Sequence, residues 1–308
     1  MDLAHARYLA LSNEGKEKRE KAMNIKKACV VGIGVMGNGL AQVCAQAGYD
    51  TSVVSRSEES LERGIAKIKG NLSFLVKKGR IQQEEADRIV DALRARATTS
   101  LEEGANGADF VIEAVYEDLD LKKEIFRELD RICPEHTILA SNTSTFPIVA
   151  LATVTKRPDK VIGTHFMNPP PFIQGVEIIK SLFTSEDTVN RTKEFVKSLG
   201  KEPIEVKDSP GFVVSRMICL VMNEAVRMHE ESVASVEDID RIARLCFNWP
   251  IGPFQLLDLI GIDIVAAVLN AMYNETGWER FKPALLMVQM VRAGWTGRKA
   301  GKGFYDYR

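Results

Sequence analysis

The stretch Ala28-Cys-Val-Val-Gly-Ile-Gly-Val-Met-Gly-Asn-Gly-Leu-Ala41 decides the fold of this chain. Its first four residues, Ala28 to Val31, form a short apolar run that predicts a buried strand, and helical spacing follows the glycines. Gly32, Gly34 and Gly37 have the spacing G-x-G-x-x-G. Such glycines allow a tight turn, the close approach of a pyrophosphate, and close packing of helix on strand. The stretch therefore predicts a dinucleotide-binding site.

The cofactor is expected at the start of the helix, where free backbone N–H groups and a partial positive charge attract phosphates. Val35 and Met36, inside the turn, are counted with the glycines as cofactor contacts. The second predicted strand ends at Ser55-Arg56, where an NAD-type site has an Asp or Glu on the ribose. A hydroxyl and a guanidinium suit a 2′-phosphate, so NADP(H) is favoured over NAD(H). The alternative is that Arg56 is a surface residue and the site takes NAD without a carboxylate.

Length and composition limit the possible classes of protein. The chain has 308 residues, enough for two domains, and is 45% hydrophobic and 27% charged, as expected of a globular protein. A net charge of −1 gives no broad attraction to nucleic acid or to a membrane surface. No apolar run is long enough to span a bilayer, and the N-terminus lacks a signal sequence. The scattered cysteines form no C-x-x-C pair, so no metal site is expected and a reducing cytoplasm is predicted.

The pattern after the second strand predicts an α/β fold with a mostly parallel sheet, because further strands alternate with helices. Strands are predicted at Ala108 to Ala114, with Glu113 near the end, and at Thr137 to Ala140, before a polar loop. The helix-rich segment Glu58 to Ala97 contains a basic group, which is either a solvated face or a contact for substrate phosphates. That group consists of Lys67, Lys69, Lys77, Lys78 and Arg80.

Two polar residues in apolar surroundings are the candidates for chemistry. His165 follows the predicted strand Val161-Ile162, and Glu177 lies in the apolar strand Val176 to Ile179. An isolated buried carboxylate is costly, and a lone His is more often structural than catalytic. Both observations are explained if Glu177 orients His165 as a general base.

The chain is predicted to have three parts. Residues 1–24 form an N-terminal helical extension, residues 25–208 the dinucleotide-binding domain, and residues 209–308 a helical domain for substrate binding and dimerisation. A strand and a Pro-Gly break precede the last part, in which Ser235 begins a possible capping box. Because about 100 residues bury little surface by themselves, such an apolar helical domain often completes its burial against a second subunit.

Taken together, the residues resemble the 3-hydroxyacyl-CoA dehydrogenase family, especially its short bacterial 3-hydroxybutyryl-CoA members. The resemblance runs from about Lys26 to Arg308, with the family's motifs in the family's order. The motifs are the glycine fingerprint, Val111-Ile-Glu-Ala114, Ser141-Asn-Thr-Ser144, His165-Phe-Met-Asn-Pro169, Val176-Glu177, Asp208-Ser-Pro-Gly-Phe212, Ile251-Gly-Pro253 and Gly301-Lys-Gly-Phe-Tyr305.

The resemblance implies a Rossmann-type doubly wound domain followed by an all-helical C-terminal domain, and the reversible oxidation of an L-3-hydroxyacyl-CoA by NAD(P). It implies that His165 is the acid/base, that Glu177 orients it, and that Ser144 and Ser215 contact the substrate. The further contacts it implies are Glu117, Lys122, Asn168 and Lys299 for the cofactor, and Asn71 and Lys78 for the CoA substrate.

Three positions depart from the family pattern. Ser55 replaces the usual Asp, Ser215 replaces an Asn that faces the substrate carbonyl, and Gly175 replaces a Leu. The change at Ser55 bears on the choice between NAD and NADP. The changes at Ser215 and Gly175 bear on which acyl group the enzyme prefers. Two other functions stay open: a related dehydrogenase of a hydroxy acid without CoA, such as gulonate or carnitine, and a non-catalytic, crystallin-like protein.

Overall fold

The computed structural model describes residues 25–308, and the predicted extension at residues 1–24 lies outside the described residues. Strand β1 (Lys27–Val31) has four buried residues in succession and pairs with a strand on each side. Helix α1 (Val35–Gln46) begins directly after the glycine turn. The predicted strand–turn–helix unit is therefore present, and β1 lies inside the sheet.

The described residues form one sheet of eight strands in the order β3-β2-β1-β4-β5-β6-β7-β8. All neighbours are parallel except β6 and β7, which confirms the mostly parallel sheet. The order reverses beside β1, and ligands of such sheets bind there, outside the carboxyl ends of the strands. The remaining strands are β2 (Asp50–Val54), β3 (Ala97–Thr98), β4 (Phe110–Glu113), β5 (Ile138–Ser141), β6 (Val161–Phe166), β7 (Gly175–Lys180) and β8 (Glu202–Lys207).

Helices connect the parallel strands. The sequence places a capping hydroxyl or carboxylate at several of their N-termini, such as Ser57, Asp118 and Ser185, each of which accepts a bond from the first turn. These helices are α2 (Glu58–Lys77), α3 (Gln83–Ala95), α4 (Leu101–Ala105), α5 (Leu119–Ile132), α6 (Ile148–Ala152) and α7 (Glu186–Ser198).

The extent of β6 corrects one prediction. His165 was expected after a strand at Val161-Ile162, but the strand runs to Phe166 and contains His165. The reason is the antiparallel partner: β7 pairs with the second half of β6, His165 opposite Glu177, beyond the last residue paired with β5. The sequence of β6 alone carries no sign of this partner.

The described residues divide into two compact units, with the boundary between Asp208 and Ser209. The second unit is helical, and its core includes the fully buried side chains of Met222, Phe254, Leu257 and Leu269. Its helices are α8 (Val214–Glu230), α9 (Val236–Cys246), α10 (Pro253–Ile260), α11 (Ile262–Thr276) and α12 (Leu285–Arg292). The fold class predicted from the sequence is confirmed.

Two buried aspartates hold the C-terminal tail of the second unit. Asp240 accepts bonds from the backbone N–H of Phe254, 2.8 Å away, and from the hydroxyl of Tyr305. Asp258 accepts the backbone N–H groups of Phe304 and Tyr305, each at 3.0 Å. The predicted cap at Ser235 is also present, since its hydroxyl accepts the N–H of Asp238. The two carboxylates thus hold Phe304 and Tyr305 of the tail, and Asp240 also bonds the first turn of α10.

Four of the five cysteines are buried free thiols, including the predicted Cys29, Cys44 and Cys219. Burial disfavours the thiolate and raises the pKa of these three thiols, and that of Cys133, to about 12. Within residues 25–308, no single helix is long and apolar enough to cross a bilayer. Helices α10 and α11 meet that test of length and composition only as a pair bent by 93°.

Candidate active site

The three glycines of the fingerprint differ in how much space a side chain would find at each position. Gly32 has a φ of +100°, and an added Cβ would lie 2.6 Å from the carbonyl oxygen of Ala114. A Cβ on Gly37 would lie 1.7 Å from the carbonyl oxygen of Gly32, so helix and strand can pack only because it is absent. A Cβ on Gly34 would meet nothing within 4 Å. Two glycines are therefore required by packing, and Gly34 faces open space.

The open space at Gly34 is at the N-terminus of α1. Gly34 is the N-cap residue, and no side chain caps the helix. Val35 is 63% exposed and Met36 is half-buried, whereas Asn38 is buried and donates its side-chain amide to the carbonyl oxygens of Gly34 and Val35. Free N–H groups beside an unobstructed glycine suit a pyrophosphate. The residues present therefore fit a dinucleotide cofactor.

Ser55 and Arg56 lie directly after β2, at the carboxyl edge of the sheet. The backbone N–H of Ser55 donates to the carbonyl oxygen of Thr98, so the turn is tied to β3. Arg56 is exposed, and among residues 25–308 its guanidinium has no ion pair with a carboxylate. A free guanidinium at this edge is available to an anionic ligand.

His165 and Glu177 form the pair that the sequence predicted. They occupy paired positions on β6 and β7, so both side chains point to the same face of the sheet. Nδ1 of His165 lies 2.7 Å from Oε2 of Glu177, and both side chains are about 95% buried. A carboxylate in this position accepts a hydrogen bond from Nδ1–H, which fixes the tautomer and stabilises the imidazolium that forms when Nε2 takes up a proton.

Ser144 lies at the other ring nitrogen. Its hydroxyl is 3.0 Å from Nε2 of His165, and it belongs to the loop that follows β5. With Nδ1–H donating to Glu177, the lone pair on Nε2 accepts a hydrogen bond from the Ser144 hydroxyl. The series Ser144–His165–Glu177 can therefore move a proton at Nε2 while the far end of the ring remains fixed.

The loop that carries Ser144 is held by two polar side chains from outside its tip, those of Glu117 and Asn142. Glu117 accepts the backbone N–H of Ser144 at 3.2 Å and also the hydroxyl of Thr143. Asn142, 8% exposed, accepts the backbone N–H of Phe166 at 2.9 Å, which ties the loop to the residue next to His165. The position of Ser144 next to His165 thus depends on Glu117, expected as a cofactor contact, and on Asn142, to which the sequence analysis gave no role.

A second buried ion pair lies beside this loop. Lys122 is 1% exposed, and its Nζ lies 2.7 Å from the carboxylate of Glu113 and 3.2 Å from that of Glu117. Glu113 is fully buried at the end of β4. Lys122 and Glu117, both predicted as cofactor contacts, therefore bind each other in this structure.

Three other predicted residues of the first unit lie outside the two strands that carry His165 and Glu177. Asn71 and Lys78 belong to the α2 segment, where Asn71 donates to the side chain of Gln42 at 3.2 Å and Lys78 is exposed over the ring of Phe74. Asn168 is exposed and precedes a cis proline. Their roles in binding remain predictions.

Two predicted site residues belong to the second unit. Ser215 is buried in the first turn of α8. Lys299 forms an ion pair with Asp263 at 2.6 Å. The expected effect of Gly175, in the first unit, on the acyl group also stays a prediction; a Cβ there would meet only the side chain of Ile204, 3.6 Å away. Among residues 25–308, no group of three His, Cys, Asp or Glu side chains could hold a metal ion.

Two domain families together cover nearly all of the described chain. Residues 27–209 match the NAD binding domain of 3-hydroxyacyl-CoA dehydrogenase, and residues 211–307 match the C-terminal domain of 3-hydroxyacyl-CoA dehydrogenase. The chain belongs to the 3-hydroxyacyl-CoA dehydrogenase family. It is therefore a dehydrogenase that uses a nicotinamide cofactor.

Individual members of the family are similar over nearly their whole length. A probable 3-hydroxybutyryl-CoA dehydrogenase of Bacillus subtilis (strain 168) is 42% identical over 285 residues, which are 92% of this chain and 98% of that protein. The 3-hydroxybutyryl-CoA dehydrogenase of Clostridioides difficile is 42% identical over 281 residues, or 91% and 99% of the two chains. The crystal structure of (S)-3-hydroxybutyryl-CoA dehydrogenase PaaH1 from Ralstonia eutropha matches with a TM-score of 0.89 and 41% sequence identity. The match covers 92% of this chain and 100% of that one. The resemblance predicted from the sequence motifs is confirmed.

Sequence reasoning missed the supporting residues of this dehydrogenase site. Glu113 was noted only as a residue near a strand end, and Asn38 and Asn142 were given no role. A signal for Glu113 was available, since a carboxylate in an apolar strand needs a partner, the same argument that identified Glu177. No comparable signal marks Asn38 or Asn142, because an Asn near a turn is common.

Proposed function

We propose that this chain interconverts a short-chain L-3-hydroxyacyl-CoA, with 3-hydroxybutyryl-CoA as the first candidate, and the corresponding 3-ketoacyl-CoA. The observation that carries the proposal is the hydrogen-bonded series Ser144–His165–Glu177 at the carboxyl edge of a dinucleotide-binding sheet. The relatives in Clostridioides difficile and Ralstonia eutropha carry the name of this activity.

In the proposed mechanism, side chains of the protein transfer one proton to and from the substrate. In oxidation, Nε2 of His165 removes the proton of the 3-hydroxyl group, and Glu177 stabilises the imidazolium through Nδ1–H. In reduction, the imidazolium returns this proton to the developing alkoxide. Ser144 donates a hydrogen bond to the same oxygen and keeps it beside Nε2. The nicotinamide, when bound, accepts or supplies the hydride at C3.

Three further residues are proposed as substrate contacts. Lys78 is proposed to meet the CoA phosphates, with Asn71 on the same helical segment, and Ser215 is proposed to bond the acyl group. Because a Ser hydroxyl reaches less far than the Asn amide of the family pattern, the favoured acyl group or the rate differs from that of relatives with Asn.

For the cofactor, we propose NADP(H) in preference to NAD(H). The exposed guanidinium of Arg56 and the small Ser55 support this choice, since neither repels a 2′-phosphate and Arg binds phosphate in a bidentate manner. The remaining proposed contacts are Glu117, Lys122, Asn168 and Lys299, along with the glycine turn. The buried free thiols support our placement of the protein in a reducing cytoplasm.

The second unit is the proposed dimerisation domain, with a second copy of this chain as the partner. Helix α8 exposes Met217 (64%) and Val221 (38%), which lie four residues apart on one face. Leu245 and Phe247, at the end of α9, are 75% and 64% exposed. A single exposed apolar side chain is common, but several of them within one small helical unit support a surface that a partner covers.

One assay tests the reaction and the cofactor choice together. Acetoacetyl-CoA is reduced with NADPH or NADH at matched concentrations, and the loss of reduced nicotinamide is followed by absorbance. We expect turnover with a preference for NADPH, and a shift toward NADH in Ser55→Asp and Arg56→Ala. A wild-type preference for NADH would reject the cofactor proposal. Absence of turnover with either cofactor would reject the short-chain acyl-CoA substrate, and gulonate and carnitine would be tested next.

A further inference from the structure

A buried lysine lies between two carboxylates in the first unit. Nζ of Lys122 is 2.7 Å from Glu113 and 3.2 Å from Glu117, and the side chains of Lys122 and Glu113 are 1% and 0% exposed. Removing two opposite charges from water costs about as much free energy as their attraction returns, so such a pair is weak evidence for a stabilising role. The pair therefore needs an explanation other than stability, and its contacts supply one.

Glu113 joins the two loops that leave the carboxyl edge of the sheet. Its Oε1 accepts the backbone N–H of Val115 and the ammonium of Lys122, each at 2.7 Å. Its Oε2 accepts the hydroxyl of Ser141, also at 2.7 Å. Because Val115 follows β4 and Ser141 ends β5, one carboxylate fixes the first residues of both loops.

From Lys122, hydrogen bonds and ion pairs continue without interruption to the proton-transfer site. Lys122 binds Glu117, Glu117 accepts the backbone N–H of Ser144, and Ser144 lies 3.0 Å from Nε2 of His165. Glu117 is 38% exposed and belongs to an irregular segment, so its position depends on the partner that holds it. That partner is itself held by Glu113.

We propose that Glu113 is a positioning residue of the dehydrogenase site: by holding Lys122, it sets where Glu117 places Ser144 against His165. The inference rests on the proposed function for its kinetic readout. Without the charge of Glu113, the ammonium has one carboxylate to pair with and moves toward Glu117, and the loop with Ser144 moves with it. A displacement of about 1 Å in a reacting group costs on the order of 100-fold in rate.

The kinetic test uses Glu113→Gln and the double variant E113Q/K122M. We expect kcat for acetoacetyl-CoA reduction at saturating cofactor to fall at least about tenfold in both variants. In Glu113→Gln, which keeps the proposed cofactor contact Lys122, we expect the Kd of the reduced cofactor to change less than about threefold. Replacing both charges leaves no uncompensated buried ion, so the double variant regains the Tm that Glu113→Gln loses. Its kcat stays low, because Glu117 is still not held. A purely structural role predicts instead that kcat recovers with Tm.

The matched control breaks another buried ion pair of the same unit. Arg157 and Asp130 lie 2.7 Å apart, and their side chains are 12% and 9% exposed. We expect Asp130→Asn to lower Tm and to leave kcat within about twofold of wild type. An equal loss of kcat in Asp130→Asn, or a wild-type kcat in either Glu113 variant, overturns the proposal. If Glu113→Gln does not fold, the kcat of the double variant E113Q/K122M tests the proposal by itself.

A spectroscopic readout separates this inference from the proposed function. The chain has four histidines, so selective 15N-histidine labelling gives few ring signals. We expect the ring signals of His165 to shift in both Glu113 variants and not in Asp130→Asn, with His229 in the second unit as reference. Unchanged His165 signals overturn the inference. If the wild type reduces no acyl-CoA, the proposed function fails, and the His165 signals still decide the role of Glu113.

Discussion

His165 has an oxygen partner at each ring nitrogen, and this is the residue-scale basis of the proposed chemistry. Glu177 lies 2.7 Å from Nδ1, and Ser144 lies 3.0 Å from Nε2. A buried carboxylate without a hydrogen-bond donor would be too costly to keep, so a carboxylate in a strand as apolar as β7 implied a partner. The antiparallel register of β6 and β7 supplies it.

Replacement of His165 tests whether this residue is the general acid and base. We expect His165→Gln to lower kcat roughly 10²- to 10⁴-fold, the usual contribution of general acid–base catalysis, with a smaller effect on KM. Steady-state kinetics with acetoacetyl-CoA measure both constants. The matched control is His136→Gln, since His136 pairs with Asp109 on an exposed surface. A similar loss in both variants, or no loss in His165→Gln, would contradict the assignment.

Burial also changes the ionisation of Lys201. It is 7% exposed, and its Nζ donates to the carbonyl oxygen of Ile173, in the segment that joins β6 to β7. Burial disfavours the ammonium and lowers the pKa of Lys201 from 10.5 to about 8. The folded state therefore loses this proton at a lower pH than the unfolded state does.

The sign of the pH effect follows from this lowered pKa. Between the folded pKa of about 8 and the unfolded pKa of 10.5, the unfolded chain binds more protons at Lys201, so the free energy of unfolding rises with pH. We expect wild type to gain about 2–3 kcal/mol relative to Lys201→Met from about pH 7 to about pH 10. Urea unfolding at several pH values measures the difference. The exposed control Lys197→Met should show a constant difference, and a constant difference for Lys201→Met would contradict the prediction.

At the scale of elements, the junction of β1 and α1 separates packing from binding. Gly37 is in contact with the carbonyl group of Gly32, whereas the Cα of Gly34 faces open space. Both are glycines of one motif, yet only Gly37 is required for the helix to approach the strand. Gly34 leaves room at the helix N-terminus for a bound pyrophosphate.

The matched pair Gly34→Ala and Gly37→Ala tests this separation. We expect Gly37→Ala to lower the free energy of unfolding by roughly 3 kcal/mol or more, because the new Cβ would overlap a backbone oxygen. Gly34→Ala should unfold like wild type and bind the cofactor at least about tenfold more weakly. Urea unfolding and titration of the fluorescence of NADPH measure the two effects. Equal loss of stability in both variants would contradict the separation.

At the scale of the whole molecule, the apolar residues of the second unit predict a dimer. Met217 and Leu245 are exposed by 64% and 75% of their surface. We expect sedimentation and light scattering to give twice the mass of one chain for wild type, and a lower mass for Met217→Glu or Leu245→Glu, because a charge at a buried interface is costly. The control is Leu182→Glu in the first unit, where the side chain is already 92% exposed. A monomeric wild type would reject the proposal.

The sequence by itself determined the fold class, the cofactor fold and the pair His165–Glu177. These are local or repeated signals: the spacing of Gly32, Gly34 and Gly37, the alternation of strands with helices, and one carboxylate in an apolar strand. Each depends on steric or desolvation rules that act on neighbouring residues.

Only the tertiary structure decided what surrounds that pair. The length of β6 depends on β7, a partner that the sequence of β6 does not specify. The contacts Glu113–Lys122, Glu117–Ser144 and Asn142–Phe166 join residues from different elements, up to 27 positions apart in the chain. Hydrogen-bond geometry is a property of positions in space, and spacing along the chain does not encode which loops meet at the edge of a sheet. The supporting network of the active site therefore required the folded chain.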